Sequence, residues 1–267
     1  MNIAIIGCGY VGSAAARHWK QRHHVTALTR SAMRIPELKS IADDVKIIQD
    51  NWAEALAGCQ AVLLCMAPEQ PDHYESAFLQ TAQAVLQALP HTPELKQIIY
   101  TGSASVYGDH DGRLVDENTP CLPQHRNARI LIETEQTLLQ AEALGYHVCV
   151  FRLGEIYGPG RKIADRLRRM AGRPLPGNGV GATNLIHLDD IVGAIDFALQ
   201  RRLSGIYNLC NDLHIPRKHL YEQICNAEGL EPIIWNPELP SQHAGNKTLS
   251  NAKLKAAGHQ NYNQQLY

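Results

Sequence analysis

The stretch "IAIIGCGYVGSAAARHW", residues 3–19, decides the fold. A β-branched run from Ile3 to Ile6 leads into Gly7, Gly9 and Gly12, spaced G-x-G-x-x-G, and an alanine-rich segment suited to a helix follows. Each glycine has its own physical task. Gly7 permits a tight turn, Gly9 lets the backbone approach a pyrophosphate, and Gly12 lets helix and strand pack closely. The N-terminus of the following helix offers unpaired N–H groups and a partial positive charge to phosphates. Strand, glycine turn and helix together predict a dinucleotide site, with Tyr10 and Val11 inside the motif among its contacts.

The end of the second strand bears on which dinucleotide is bound. An NAD-selecting fold places an acid about 20 residues past the glycines, on the ribose 2′-hydroxyl. This chain has "ALTRSAMR" there, so Arg30 and Ser31 suit a 2′-phosphate and Arg34 assists, which favours NADP with NAD as the alternative. Asp50, after the third strand, is placed to contact the adenine edge, and Met66 and Ala67, at the end of the fourth, complete the expected cofactor contacts.

Outward from this motif, short β-branched runs alternate with longer amphipathic ones, the rhythm of a doubly wound α/β fold with a parallel sheet covered on both faces. Strands are expected at Ile3 to Ile6, Val25 to Thr29, Val45 to Gln49, Ala61 to Met66, Gln97 to Thr101, His147 to Arg152 and Gly205 to Cys210. Helices are expected after Gly12, over Tyr74 to Leu89, from about Asn127 to Leu144 with Gly145 as the stop, from Asp189 to Gln200, and after Pro216. The expected division is a Rossmann domain over 1–154 and a small C-terminal substrate-binding lobe over 155–267, from which about 184–210 returns to the sheet.

With 45% apolar residues in 267, the chain can bury a large core. Lys plus Arg, 25, nearly cancel Asp plus Glu, 26, so no whole-chain field draws it to nucleic acid or an anionic membrane. No apolar run reaches the roughly 18 residues of a membrane span. The amino terminus lacks secretory features, and the seven cysteines sit mostly in apolar runs without metal-ligand spacing, so the expectation is a cytoplasmic protein with reduced core thiols and no metal.

The segments "IIYTGSASVYGD" (98–109), "VDENTPCLP" (115–123), "FRLGEIYGPGR" (151–161), "NLIHLDDIVGAI" (184–195) and "GIYNLCND" (205–212) occur in the order of the extended short-chain dehydrogenases/reductases. With the glycine motif, they make the chain resemble the NAD(P)-dependent epimerase/dehydratase type over nearly its whole length. The resemblance implies a tyrosine and a lysine, four apart on the helix after the fifth strand, working with a serine at that strand's end. Laying "PQHRNARILIETEQ" (123–136) on that segment puts Asn127 in the tyrosine slot and Leu131 in the lysine slot, while Ser103 keeps the serine slot. An amide does not titrate near pH 7, and an alkyl chain neither donates to ribose nor shifts a neighbour's pKa.

The usual proton relay is therefore missing. Tyr107, in the "VYG" loop, is the substitute candidate, with packing beneath the loop as the competing role; His125 reads as a solvent-facing loop residue and Asp109 to Asp111 as a turn. On the substrate side, Arg161, Arg173 and Lys247 suit a phosphate or nucleotide-sugar diphosphate, as the resemblance implies, or are solvated basic residues; His187 reads as a structural hydrogen-bonder. Two functions follow as expectations. One is an NADP-dependent oxidoreductase or epimerase acting on a nucleotide-sugar-like or small carbonyl substrate; the other is a catalytically silent NADP(H) sensor or scaffold. The resemblance also implies a homodimer through the helix carrying Asn127.

Overall fold

The computed structural model describes residues 1–68, 70–170, 172–239, 245–260 and 263. Seven strands form the main sheet: β1 (Asn2–Ile6), β2 (His24–Thr29), β3 (Asp44–Ile47), β4 (Ala61–Leu64), β5 (Gln97–Ser103), β6 (His147–Leu153) and β7 (Gly205–Leu209). Their order is β7-β6-β5-β4-β1-β2-β3, and the ladders β1–β2, β1–β4, β2–β3 and β4–β5 are parallel. The sheet is the expected doubly wound Rossmann type, flanked by helices. Because β1 pairs with β4 on one side and β2 on the other, the winding reverses beside β1 and leaves a crevice at the carboxyl ends of the strands.

The main helices are α1 (Tyr10–Trp19), α2 (Gln80–Ala88), α3 (Arg126–Leu139), α4 (Ile163–Met170), α5 (Leu188–Arg201) and α6 (Arg217–Glu228). Gly145 ends the turn after α3 at φ +89°, a conformation glycine adopts without steric cost. Two expectations need correction. The first helix starts at Tyr10, so Gly12 lies in its first turn. The long helix over Tyr74 to Leu89 is composite: a π-helical turn at Glu75–Leu79 precedes α2, which tightens into a 3₁₀ turn at Leu89–His91.

Two compact units make up the chain. Unit 1 comprises Met1–Ser103, His125–Arg152 and Val192–Tyr207; unit 2 comprises Ala104–Gln124, Leu153–Ile191 and Asn208–Tyr267. In unit 1, Trp19 is buried and its indole N–H donates to Asp196, while the Gln97 side-chain amide donates to the Ala198 carbonyl; both bonds tie α5 in place. Unit 2 has its own apolar cluster around Ile163, Leu167, Leu185, Leu220 and Ile224. Short parallel pairings join Glu155–Tyr157 to Leu185–His187 and Leu114–Val115 to Thr248–Leu249. No described helix is long and apolar enough to cross a membrane.

Candidate functional site

In unit 1 the glycine turn bridges β1 and α1. A Cβ at Gly7 would lie 2.8 Å from the Cys65 carbonyl oxygen and from the Met66 backbone, and the residue sits at φ +89°. At Gly12 a Cβ would lie 2.3 Å from the Gly7 oxygen and 2.6 Å from Cys65 Sγ. A Cβ at Gly9 would meet nothing within 4 Å. Two glycines are thus closed in by protein, and the one between them faces open space.

Gly9 is the N-cap of α1; no side chain caps the helix, and its first turn holds no acid. Its leading N–H groups and partial positive charge are left for an anion. The donor set and the space above Gly9 fit a pyrophosphate. Beneath the turn, the Cys65 thiol donates to the Gly7 carbonyl at 3.0 Å, and burial raises its pKa well above the usual thiol range, so the proton stays in place. Sequence reasoning assigned Cys65 only to the core. The register of β1 on β4, which pairs Ile6 with Leu64, brings the next residues, Gly7 and Cys65, together.

At the end of β2, Arg30 is exposed and its Nη2 donates to the Ser76 carbonyl at 3.2 Å and to Thr81 Oγ1 at 3.0 Å. The π-helical turn supplies that carbonyl. Nε and Nη1 of Arg30 donate to no described group. Arg34 Nη2 donates to the Cys8 carbonyl at 2.6 Å and pairs with Glu37, bracing the glycine turn. Ser31 is half-buried; Asp50 and Ala67 are exposed and Met66 is half-buried, each just past a strand end.

Ser103 ends β5 and is half-buried. Asn127 is half-buried in the first turn of α3; Leu131 and Glu135, each four residues further on, share its helix face and are 5% and 2% exposed. The Glu135 carboxylate accepts from Arg152 Nη2 at 2.7 Å and from Nε at 3.1 Å. Burial pushes Glu135 above the usual carboxylate range, with Arg152 pulling against it. The hydroxyl of Tyr100, fully buried, meets no hydrogen-bond partner among the described residues, and a Cβ at Gly102 would touch both Tyr100 Cε1 at 3.0 Å and Glu135 Oε1 at 3.5 Å. The pair thus packs beneath the residue preceding Ser103.

The remaining candidates, His125 apart, lie in unit 2. Tyr107 is fully buried, and its hydroxyl donates to Asn208 Oδ1 at 2.7 Å. His125, in unit 1, is the exposed N-cap of α3. Asp109 Oδ1 accepts from the Asp111 N–H at 2.8 Å, the hydrogen bond of a turn. His187 Nδ1 lies 3.2 Å from the Asp189 N–H, a structural contact at the start of α5. Arg161 and Arg173 are exposed, whereas Lys247 is 9% exposed and departs from the solvated reading.

The sequence profile of the NAD dependent epimerase/dehydratase family matches residues 3–210, which include the whole glycine turn and, but for Asn2, every residue of the main sheet's strands. The chain belongs to that family. Protein YeeZ of Escherichia coli (strain K12) is 32% identical to it over 258 residues, covering 90% of this chain and 88% of that protein. A 3-diazoavenalumate denitrifying reductase from Streptomyces sp is 27% identical, over 85% of this chain and 80% of that one. The structure of MoeE5 in complex with UDP-glucuronic acid and NAD superposes with a TM-score of 0.82 at 19% identity, over 98% and 94% of the two chains, and so shares the fold. An epimerase/dehydratase-family chain of this kind is an NAD(P)-binding protein.

Proposed function

We propose that the protein is an NADP-dependent oxidoreductase of an atypical branch of its family, acting on a carbonyl or nucleotide-sugar-like substrate. The observation that carries this reading is the open space above Gly9 at an uncapped helix N-terminus, between two glycines that protein atoms enclose. A bound nicotinamide dinucleotide supplies the hydride; the chain's own groups bind it, orient it and polarise the substrate. Arg30 supports the choice of NADP, since two of its nitrogens retain donors for a 2′-phosphate and no acid stands beside it at the end of β2. The reductase and the nucleotide-sugar complex among the similar proteins support the substrate class.

NADPH is expected to bind about 10- to 100-fold more tightly than NADH, the range of one or two charge-assisted hydrogen bonds, and Arg30→Ala should bring the ratio near one. Calorimetric titration of both nucleotides measures it. Equal affinities in the unaltered protein would overturn the choice of NADP while leaving dinucleotide binding intact.

In this reading Ser103 donates to the substrate oxygen, Asn127 takes part as a neutral hydrogen-bonder, and Leu131 closes the place where an ammonium would stand. Water delivers the proton, since the Tyr107 hydroxyl is committed to Asn208. Turnover of an aldehyde or ketone panel with NADPH should fall at least ~10-fold in Ser103→Ala, by loss of a polarising donor, and stay within about threefold in Tyr107→Phe. The opposite ranking would return the proton to the phenol. A second reading, a silent NADP(H) sensor or scaffold, draws on the same burial of Tyr107 and Leu131. It predicts tight NADPH binding with no turnover across the panel and across nucleotide-sugars. Self-association through α3 as a homodimer, and a cytoplasmic location, belong to the same proposal.

A further inference from the structure

Arg30, directly after β2, is exposed, yet its guanidinium is held: Nη2 donates at 3.2 Å to the Ser76 carbonyl and at 3.0 Å to Thr81 Oγ1. Thr81 is 2% exposed, and its hydroxyl donates in turn to the Ser76 carbonyl at 3.3 Å. Arg30 Nη2, Thr81 Oγ1 and the Ser76 carbonyl thus close a ring in which the threonine accepts from the arginine and donates to the carbonyl they share. A hydroxyl can do both, whereas valine has the same shape and neither function.

The ring exists because of the π-helical turn. The Gln80 N–H bonds to the Glu75 carbonyl, five residues back, where an α-helix would use the Ser76 carbonyl, four back. Thr81, at the start of α2, reaches that Ser76 carbonyl with its side chain. The turn itself is fixed. Phe78 is buried, Tyr74 packs on it with ring centroids 5.3 Å apart, and the segment lies along α3, to which Glu75 is paired through Arg126. The two acceptors therefore belong to the scaffold, and the arginine is the partner that is held.

Both acceptors are neutral, so Arg30 keeps its whole charge, and among the described residues no carboxylate pairs with it. Strands β2 and β4 flank β1, and the bridge runs from the end of β2 to the segment that follows β4, which stands the held guanidinium at the carboxyl-end crevice. An arginine side chain carries large rotamer entropy, and one already held forfeits less of it on meeting a phosphate.

We propose that Thr81 is a positioning residue for cofactor choice: with the Ser76 carbonyl it presets Arg30 so that Nε and Nη1 meet a ribose 2′-phosphate. Thr81 acts through Arg30, its own hydroxyl being spent on the guanidinium and the carbonyl. The proposal rests on the reading of Arg30 as the 2′-phosphate ligand. A dinucleotide without that phosphate gains nothing from a preset arginine, so Thr81 bears on the NADPH-to-NADH ratio and not on dinucleotide binding as such.

Calorimetric titration of NADPH and NADH against Thr81→Val and Thr81→Ser, each alone and combined with Arg30→Ala, tests this role. Thr81→Val should weaken NADPH about three- to tenfold, the range of one ordinary hydrogen bond, and leave NADH within about twofold. Thr81→Ser, which keeps the hydroxyl, should hold the unaltered ratio within about twofold. In the Arg30→Ala background Thr81→Val should move neither affinity by more than about twofold, since the group it acts through is gone. A merely structural threonine would weaken both nucleotides alike, with or without the arginine. Should Thr81→Val fail to fold by circular dichroism, Thr81→Ala removes the same hydroxyl and carries the same comparison. Unchanged NADPH affinity in the hydroxyl-free variant, equal loss for both nucleotides, or a loss that survives Arg30→Ala overturns the role of Thr81 and leaves the choice of NADP standing. Equal affinities in the unaltered protein overturn the NADP reading, and the role of Thr81 with it.

Discussion

Gly9→Leu should leave the protein folded and deprive it of its dinucleotide, whereas Gly12→Val should damage both properties. The difference lies in what each new side chain meets. A Cβ at Gly9 enters open space, so unfolding stability should move far less than at Gly12, by about 1 kcal/mol at most. The same side chain stands over the uncapped N–H groups of α1 that a pyrophosphate would need. Loss of that close approach should lower NADPH affinity at least ~100-fold, since about 1.4 kcal/mol is each factor of ten. At Gly12 the added atoms collide with the Gly7 carbonyl and Cys65 Sγ at 2.3 and 2.6 Å, neither of which can leave without moving β1 or β4. Overpacking of that kind costs roughly 1–3 kcal/mol, and the bend it forces on the turn removes the binding geometry as well. Thermal unfolding without nucleotide, with calorimetry on the same samples, measures the pair. Wild-type NADPH affinity in Gly9→Leu would mean that the cradle is not where the cofactor's phosphates sit.

That prediction could be framed because the cradle is local in sequence: its turn, helix start and glycines lie within residues 6–13, and short-range backbone physics governs them all. The strands were equally readable, their ends displaced by a residue or two, because burial on both faces of a parallel sheet writes itself as continuous apolar runs. What escaped depends on partners far along the chain. Tyr107 and Asn208 are 101 residues apart, and no spacing rule announces that one will absorb the other's hydroxyl. Arg30 reads as a phosphate ligand in "LTRS", but its anchoring to the Ser76 carbonyl needed the π-helical turn, which an apparently uninterrupted helical pattern conceals. In "ETEQ" nothing local separates Glu135 from Glu133. Only its register on α3, two turns past Asn127, and the placement of Arg152 on β6 make it a buried ion.

That buried ion carries the second large effect. Arg152→Met should destabilise the protein by about 3–5 kcal/mol, because it leaves the Glu135 carboxylate in a site that is 2% exposed without its opposing charge. Replacing both, Glu135→Leu with Arg152→Met, should cost less than the single change, since packed apolar groups of similar volume often match a buried pair in stability. The pH dependence gives an independent handle. Burial raises the folded-state pKa of Glu135 above its unfolded value, so the native state holds this proton more tightly than the unfolded chain does. The contribution is fully present below the unfolded pKa, about 4.3, and is lost as pH rises through the folded one. Wild-type stability should therefore decline relative to Glu135→Gln across that interval, and Arg152→Met should widen it by removing the charge that holds the folded pKa down. Urea unfolding of the four proteins at several pH values measures both effects. A single variant costing under about 1 kcal/mol would mean that water reaches the carboxylate and that the pair is no more than a surface salt bridge. In that event the Tyr100 hydroxyl, buried beside it with no partner among the described residues, would share the same water, and the end of β5 that carries Ser103 would rest on a hydrated layer instead of an ion pair.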